Sequence, residues 1–252
     1  MRTPSAADLV RAWELGRDAP AWRRGLLLLA PAYPDRTFRD LAALTIGRRN
    51  ICLFALRERL FGPRIAARVR CPGCGRYSEF AAAARDLCPR QPDGDTVAAM
   101  GPRRFVLDVE GLSLACSCPT SEDLARVAGG DHAFGVSVNQ PLVRRAIVAA
   151  RRGEADVPLA SLPDVVIGAV ADAVLEHDPQ ADLLIENDCP DCGRNWSAPF
   201  DAAAFVWTET ANLAQRLLND VHLLANAYGW PESSILAMSA RRRQFYVQRA
   251  AQ

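Results

Sequence analysis

The sequence Cys-Pro-Gly-Cys-Gly occupies residues 71–75, and Cys-Pro-Asp-Cys-Gly occupies residues 189–193. Both copies continue with an arginine, an aromatic residue, a phenylalanine and an alanine-rich stretch. A two-residue spacer lets both cysteine sulfurs of one turn face the same ion, and two such turns supply the four thiolates of a structural zinc site. We therefore predict two β-hairpin knuckles, similar to zinc ribbons, that share one zinc ion per chain through Cys71, Cys74, Cys189 and Cys192.

More than a hundred residues separate the two motifs, so a shared metal ion would close a long loop of chain. Loop closure costs roughly 4–5 kcal/mol of conformational entropy, whereas zinc binding to four thiolates is worth roughly 10–16 kcal/mol at neutral pH. Two other interpretations stay open: four ordinary buried thiols, and a redox dithiol with the same spacing. The redox interpretation is disfavoured because such a motif opens a helix after a strand, a unit that neither copy indicates.

The composition bounds the class of protein. Half of the 252 residues are hydrophobic, and 30 basic residues, all of them arginine, balance 29 acidic ones. This predicts a globular chain and gives little support to non-specific nucleic-acid binding, which needs a clear basic excess. The apolar run at residues 26–30 is too short for a signal peptide or a membrane span. We expect a reducing cytoplasm that keeps the eight cysteines as thiols or metal ligands.

Apolar periodicity and turn residues predict an α+β fold that is predominantly helical. We divide it into residues 1–88 (N-terminal helices and first knuckle), 89–185 (a central β-hairpin and helices) and 186–252 (second knuckle and C-terminal helices). The hairpin covers residues 105–118 with its turn at Glu110-Gly111. The longest predicted element is an amphipathic helix over residues 202–228. Other predicted helices cover residues 5–16, 21–29, 38–61, 141–151 and 162–177. One more is capped by Thr120 or Ser121, a short one starts at Pro231, and a last one opens at residues 241–243. A short strand over residues 181–187 leads into the second knuckle.

The remaining cysteines carry weaker signals. Cys52 lies on an apolar helical stripe and is interpreted as core packing. Cys88 falls in a turn-rich linker over residues 86–102, and we expect it to have no ligand role. Cys116 and Cys118 lie two residues apart on an apolar strand, which favours packing over metal binding.

A catalytic constellation is not evident in the sequence. The three histidines, His132, His177 and His222, form no zinc-protease motif, and the chain has no nucleophile elbow or phosphate-binding glycine loop. We predict that the chain is not an enzyme and has no small-molecule substrate.

The C-terminal third resembles a known family. The matching residues are Cys-Pro-x-Cys-Gly-x-x-Trp from residue 189, Ala-Pro-Phe-Asp at 198–201, Phe-x-Trp-x-Glu at 205–209, His-x-Leu-Ala-x-Ala-Tyr-Gly-Trp at 222–230, Ile-Leu-x-Met-Ser at 235–239 and the arginine-rich stretch 241–246. This pattern resembles the baseplate hub assembly chaperones of T-even-like tailed phages and contractile injection systems. The central segment 114–124 is also similar, although the cysteines at 116 and 118 and Pro231 depart from the family pattern.

The resemblance implies a non-catalytic assembly factor in the bacterial cytoplasm. Its partners would be baseplate, hub or spike structural proteins, with no membrane and no nucleic acid. Since tyrosine, tryptophan and arginine dominate many interfaces, we predict a partner-binding surface made of Tyr228, Trp230, Ile235, Leu236, Arg241, Arg242 and Arg243. Two alternatives stay open: a zinc-ribbon nucleic-acid-binding or regulatory protein that uses the arginines on phosphate, and a purely structural role for the two aromatic residues between helices.

Overall fold

The computed structural model describes residues 1–88, 101, 103–127 and 140–250. The fold is mixed α/β, as predicted, with long helices and, within these residues, three separate antiparallel sheets. The chain forms two compact units, one made of Met1–Arg36 with Ala203–Gln252 and the other of Thr37–Ala202. These boundaries do not coincide with those of the three segments predicted from the sequence. No helix in the described ranges combines the length and the apolar composition needed to cross a bilayer.

The helices are α1 (Ala6–Gly16), α2 (Ala21–Leu29), α3 (Phe38–Ala42), α4 (Ile46–Phe61), α5 (Ala84–Leu87), α6 (Ser121–Val127), α7 (Gln140–Ala146), α8 (Asp164–His177), α9 (Ala202–Tyr228), α10 (Glu232–Ala237) and α11 (Ala240–Ala250). The strands are β1 (Arg64–Arg70), β2 (Tyr77–Ala83), β3 (Arg104–Val109), β4 (Leu112–Ser117), β5 (Ile147–Arg152), β6 (Ala155–Asp156), β7 (Leu184–Asp188) and β8 (Asn195–Pro199). Single turns of 3₁₀-helix cover Ala30–Ala32, Leu159–Ser161 and Pro179–Ala181.

The first unit is helical, and its predicted helices are confirmed. Ser5 caps α1, since its hydroxyl accepts a hydrogen bond from the Asp8 N–H while the Asp8 carboxylate accepts one from the Ser5 N–H. The long helix α9 spans the predicted residues and ends before Gly229, whose φ of 68° suits a residue without a side chain. Its apolar stripe packs into a core that contains Val10, Ala214, Leu217 and Leu236.

The prediction of one helix over residues 38–61 is wrong. The chain forms α3 and α4 instead, separated by Ala43, Leu44 and Thr45. Thr45 caps α4 through its hydroxyl, and it forms an isolated β-bridge with Thr120. A contact with a segment more than seventy residues later therefore interrupts the helix, and local periodicity does not reveal it.

The central sheet has the strand order β3-β4-β5-β6. Its predicted hairpin is confirmed, because Val109 pairs with Leu112 and the turn residues Glu110 and Gly111 have φ values of 51° and 69°. The predicted helix over residues 141–151 is wrong beyond Ala146, where the chain becomes β5 and pairs with β4. Helix α8 packs against the same core, which comprises Leu112, Leu114, Cys116, Leu142, Ile147, Val166, Ile167, Val170 and Val174 among others.

One further strand and Cys52 lie where the sequence predicts them. The strand before the second knuckle is β7, and Cys52 is fully buried, as predicted. Cys88 is also buried. His132, the glycine-rich stretch 129–135 and most of the linker 86–102 lie outside the described residues.

Candidate metal centre

Each cysteine motif forms the turn of a short β-hairpin, β1–β2 for the first and β7–β8 for the second. In the first turn the Cys71 N–H donates to the Arg76 carbonyl at 2.8 Å, and the Gly75 N–H donates to the Cys71 carbonyl at 2.9 Å. The second turn repeats this pattern, since the N–H of Cys189 donates to Arg194 at 2.9 Å and that of Gly193 donates to Cys189 at 2.9 Å. The duplicated sequence therefore folds into a duplicated structure.

A glycine is required at the end of each turn. Gly75 has a φ of 74° and Gly193 a φ of 69°, a backbone conformation that residues with a Cβ rarely adopt. The same residue type thus reverses the chain at the same place in both motifs. This positions the second cysteine sulfur of each motif beside the first.

The two turns bring the four cysteine sulfurs together. The Sγ atoms of Cys71, Cys74, Cys189 and Cys192 all lie within 4.8 Å of one another. Two sulfur pairs that join the two hairpins are 3.7 Å apart, for Cys71 and Cys192, and 3.5 Å apart, for Cys74 and Cys189. Four sulfurs bound tetrahedrally at about 2.3 Å from one ion are separated by roughly 3.8 Å. The group has the size and ligand number to hold one metal ion.

The two hairpins also contact each other beside the sulfurs. The Arg76 guanidinium forms an ion pair with the Asp191 carboxylate at 3.1 Å, so each motif contributes one partner. Gly73 leaves room for the other hairpin, because a Cβ at this position would lie 2.9 Å from the Cδ of Arg194. The backbone of the first turn at Gly73 therefore lies close to the Arg194 side chain of the second turn.

The cluster lies at the protein surface. Cys71 and Cys189, the first cysteine of each motif, are buried, whereas Cys74 and Cys192 are exposed. The first cysteines are thus packed into the hairpins, and the second ones face solvent.

The surroundings shift the pKa values of the cluster's thiols in opposite directions. The backbone N–H of Cys74, assisted by that of Gly73, lowers the pKa of the Cys71 thiol to about 6, against the effect of burial. For Cys192 the backbone N–H of Arg194 lowers the pKa, but the neighbouring thiols and burial outweigh it and raise the pKa to about 12. One thiolate therefore forms readily while a neighbour keeps its proton. A bound cation stabilises all four thiolates, so metal binding at this site releases protons.

Cys116 and Cys118 do not join this cluster. Burial raises the pKa of Cys116 to about 11 and is the main cause that raises the pKa of Cys118 to about 12. Cys116 belongs to the core beneath the central sheet. This agrees with the sequence interpretation of an apolar strand, since such thiols are poor nucleophiles and poor ligands.

The two described histidines have structural contacts. The ring of His177 stacks on Phe105 with centroids 4.2 Å apart, and its Nδ1 lies 2.9 Å from the Ala173 carbonyl oxygen. His222 contacts the Asn226 side chain one helical turn further along α9. Neither ring lies in the cluster of possible metal ligands found in the described part of the chain.

The seven residues predicted for a partner surface separate into two groups. Ile235, Leu236 and Arg243 are buried within the first unit, so this part of the predicted surface is not accessible. Arg243 donates to the Asp220 carboxylate at 3.0 Å and to the Met238 carbonyl. The accessible group consists of Tyr228, Trp230, Arg241 and Arg242.

Both predicted aromatic residues belong to a larger surface cluster. Tyr228 stacks on Trp230 with centroids 4.6 Å apart, and Tyr246 meets the Trp230 ring edge-on at 4.9 Å. These rings pack the junction between α9 and α11, which supports the structural alternative for them. Phe245 and Tyr246 were not among the residues predicted for the surface, although two adjacent aromatic residues close after an arginine run are a visible sequence signal.

Comparison with known protein-family models, with curated proteins and with solved structures gives no match to this chain.

Proposed function

We propose that the metal is a single zinc ion and that its role is structural. Four cysteine sulfurs in a tetrahedral arrangement select zinc or an iron–sulfur centre, and the pair of short turns matches the spacing of structural zinc sites. In such a site the ion joins the hairpin that follows α4 to the hairpin that precedes α9. The binding free energy of the ion then contributes to the free energy of folding.

We further propose that the chain is a non-catalytic, zinc-stabilised assembly factor for the baseplate or hub of a contractile phage tail or injection system. The closed set of four cysteine ligands supports the non-catalytic role of the metal, because it leaves no metal position for water or substrate. The resemblance of residues 189–246 to hub assembly chaperones supplies the biological context. The factor works in the bacterial cytoplasm and binds hub, spike or other baseplate subunits while the particle is built.

The structural role is tested by removing the metal from purified protein. Overnight dialysis against a chelator should lower the midpoint of thermal unfolding, and readdition of zinc should restore it. The matched control is the Cys71→Ser variant, whose melting curve should not respond to the chelator because its site is already incomplete. A metal-free wild-type protein that melts like the metal-bound one would contradict the structural role.

The assembly role is tested by capture during particle production. An affinity-tagged chain should enrich hub, spike or other baseplate proteins over sheath and capsid proteins, as measured by quantitative mass spectrometry. Nuclease treatment should not reduce this enrichment, since it comes from protein contacts and not from a bound nucleic acid. Recovery of nucleic acid with steep salt dependence would instead support the nucleic-acid-binding alternative.

A further inference from the structure

The charged residues of α11 are all arginines, at positions 241, 242, 243 and 249. Arg243 is paired with Asp220 and is only 8% exposed. Arg241, Arg242 and Arg249 are exposed, and within the described residues they form no ion pair. The helix thus shows one arginine already bound to a carboxylate and three that present unneutralised guanidinium groups to solvent.

Aromatic rings accompany these arginines. The Arg242 guanidinium lies 5.9 Å from the centre of the Tyr246 ring, and that of Arg249 lies 5.6 Å from the centre of the Phe245 ring. Phe245 is 55% exposed and places an apolar ring beside these arginines. We call this set the arginine–aromatic surface; it comprises Tyr228, Trp230, Arg241, Arg242, Phe245, Tyr246 and Arg249.

A shallow depression lies at the start of α11. It is lined by Ser239, Arg241, Arg242, Phe245 and Tyr246. Two guanidinium groups line it together with two aromatic rings, so the depression offers charge-assisted donors next to apolar area. A carboxylate and a neighbouring apolar side chain match this combination.

The ring geometry argues against a nucleic-acid strand as the occupant. A base-stacking platform needs free ring faces, yet Tyr228 and Trp230 stack on each other at 20°, and Trp230 and Tyr246 form an edge-to-face pair. The face of Tyr246 is approached by Arg242. Tyr228, Trp230 and Tyr246 are therefore engaged by neighbouring side chains, and the exposed arginines are the main groups that this surface offers a partner.

We propose that the arginine–aromatic surface binds an acidic segment of a partner protein. Carboxylates of the segment pair with Arg241 and Arg242, as Asp220 pairs with Arg243, and an adjacent apolar side chain rests against Phe245. This inference rests on the proposed assembly function, since it assigns the chemistry by which a structural subunit is recognised. It adds Phe245, Tyr246 and Arg249 to the predicted surface and removes the buried Ile235, Leu236 and Arg243.

The test is fluorescence anisotropy with the full chain and a labelled peptide that repeats Glu-Glu-Leu-Phe. We expect saturable binding, weakened about tenfold or more by Arg242→Glu, because the substitution replaces a charge-assisted donor with a charge that repels the acidic peptide. Phe245→Ala should also weaken it. Arg11→Glu, which reverses an exposed arginine on α1, is the matched control and should leave the affinity unchanged.

Further probes separate the classes of partner. A peptide that repeats Glu-Glu-Ser-Ser should bind more weakly than the first, because it lacks the apolar side chains. Equal affinity of wild type and Arg242→Glu for the first peptide, with both proteins folded by circular dichroism, would overturn the proposal. Tight binding of oligothymidylate in place of the acidic peptide would also overturn it. If Arg242→Glu does not fold, Arg241→Glu replaces it in the same comparison.

The peptide-binding and capture experiments together distinguish failure of the acidic-segment site from failure of the assembly role. Peptide binding that depends on Arg242, combined with a capture experiment that returns no baseplate protein, would keep the acidic-segment site and reject the assembly role. Capture of baseplate proteins that survives Arg242→Glu would keep the assembly role and reject this site.

Discussion

The carboxylate of Asp178 accepts a 2.8 Å hydrogen bond from the backbone N–H of Gly47, 131 residues earlier in the chain. Gly47 is the second residue of α4, so Asp178 satisfies one of the backbone donors that a helix leaves free at its start. The contact joins the end of α8 to the start of α4 inside the second unit. Asp178 supplies the carboxylate that accepts the bond, and Gly47 has no side chain that would clash with it.

Gly47→Ala should destabilise the fold by about 1–3 kcal/mol, the usual cost of overpacking a filled site. A Cβ at this position would lie 2.6 Å from the Cγ of Asp178 and 2.9 Å from the backbone nitrogen of Ala181. Urea unfolding measures the effect. Gly168→Ala is the control, because it lies inside α8 with open space around it and should gain about 0.5–1 kcal/mol of stability. Equal changes in stability for Gly47→Ala and Gly168→Ala would show that Asp178 leaves room for a Cβ at position 47.

Asp178 should also make stability depend on pH. Burial raises the pKa of its carboxyl above the ordinary value of 3.8, although the hydrogen bond from the Gly47 N–H acts in the opposite direction. Because the folded state then holds the proton more tightly than the unfolded chain, the contribution of Asp178 to the free energy of unfolding falls as pH rises from 3.8 through the higher folded pKa.

The measurement is the difference in unfolding free energy between wild type and Asp178→Asn, followed from acidic to neutral pH. The difference removes the titration of all other groups that the substitution leaves unchanged. We expect wild type to lose stability relative to the variant as pH rises from 3.8 through the folded pKa of Asp178. Above that pKa the difference in unfolding free energy should no longer change with pH. A difference that grows in favour of wild type would mean that the hydrogen bonds and the nearby arginines outweigh burial.

Metal content should depend equally on both motifs. We expect about one zinc ion per chain in wild type, and its loss in both Cys71→Ser and Cys189→Ser, measured by mass spectrometry of the purified proteins. Cys116→Ala is the control because it removes a buried thiol outside the cluster. Two ions per chain, or loss with only one of the two serine variants, would show that the motifs bind metal separately.

Truncation of two adjacent arginines on α11 should change stability by very different amounts. Arg243→Ala leaves the partly buried Asp220 carboxylate without its partner and should cost about 2 kcal/mol or more. Arg242→Ala removes an exposed side chain and should change stability by less than about 0.5 kcal/mol. Thermal and urea unfolding of the two variants check this, and similar costs would mean that the Asp220 ion pair contributes little.

The metal cluster was predictable from the sequence because its information is local and repeated. Each Cys-x-x-Cys-Gly motif specifies its own turn, and the glycine fixes the backbone conformation that the turn needs. The hairpin at Glu110-Gly111 and the long helix α9 were predictable for the same reason, since a turn dipeptide and a 3.6-residue period are local signals.

The errors lie where a distant segment decides the outcome. Thr45 starts a new helix because it meets Thr120, and residues after Ala146 leave the helix because β4 offers them backbone partners. The β-branched Ile147 and Val148 were a weak local hint of a strand. Nothing local distinguishes Arg243 from Arg242, because the carboxylate that pairs with Arg243 lies 23 residues earlier on another helix.

The sharing of one cluster between the two motifs has a consequence during synthesis. Cys74 and Cys189 are 115 residues apart, so at about 5–20 residues per second the first motif waits roughly ten seconds for the second. In that interval the first hairpin presents two thiols that hold an ion only half-coordinated and exposed. A neighbouring nascent chain carries the same half-site, so crowded ribosomes would favour metal-bridged dimers, and a slow stretch of translation between the motifs would increase them.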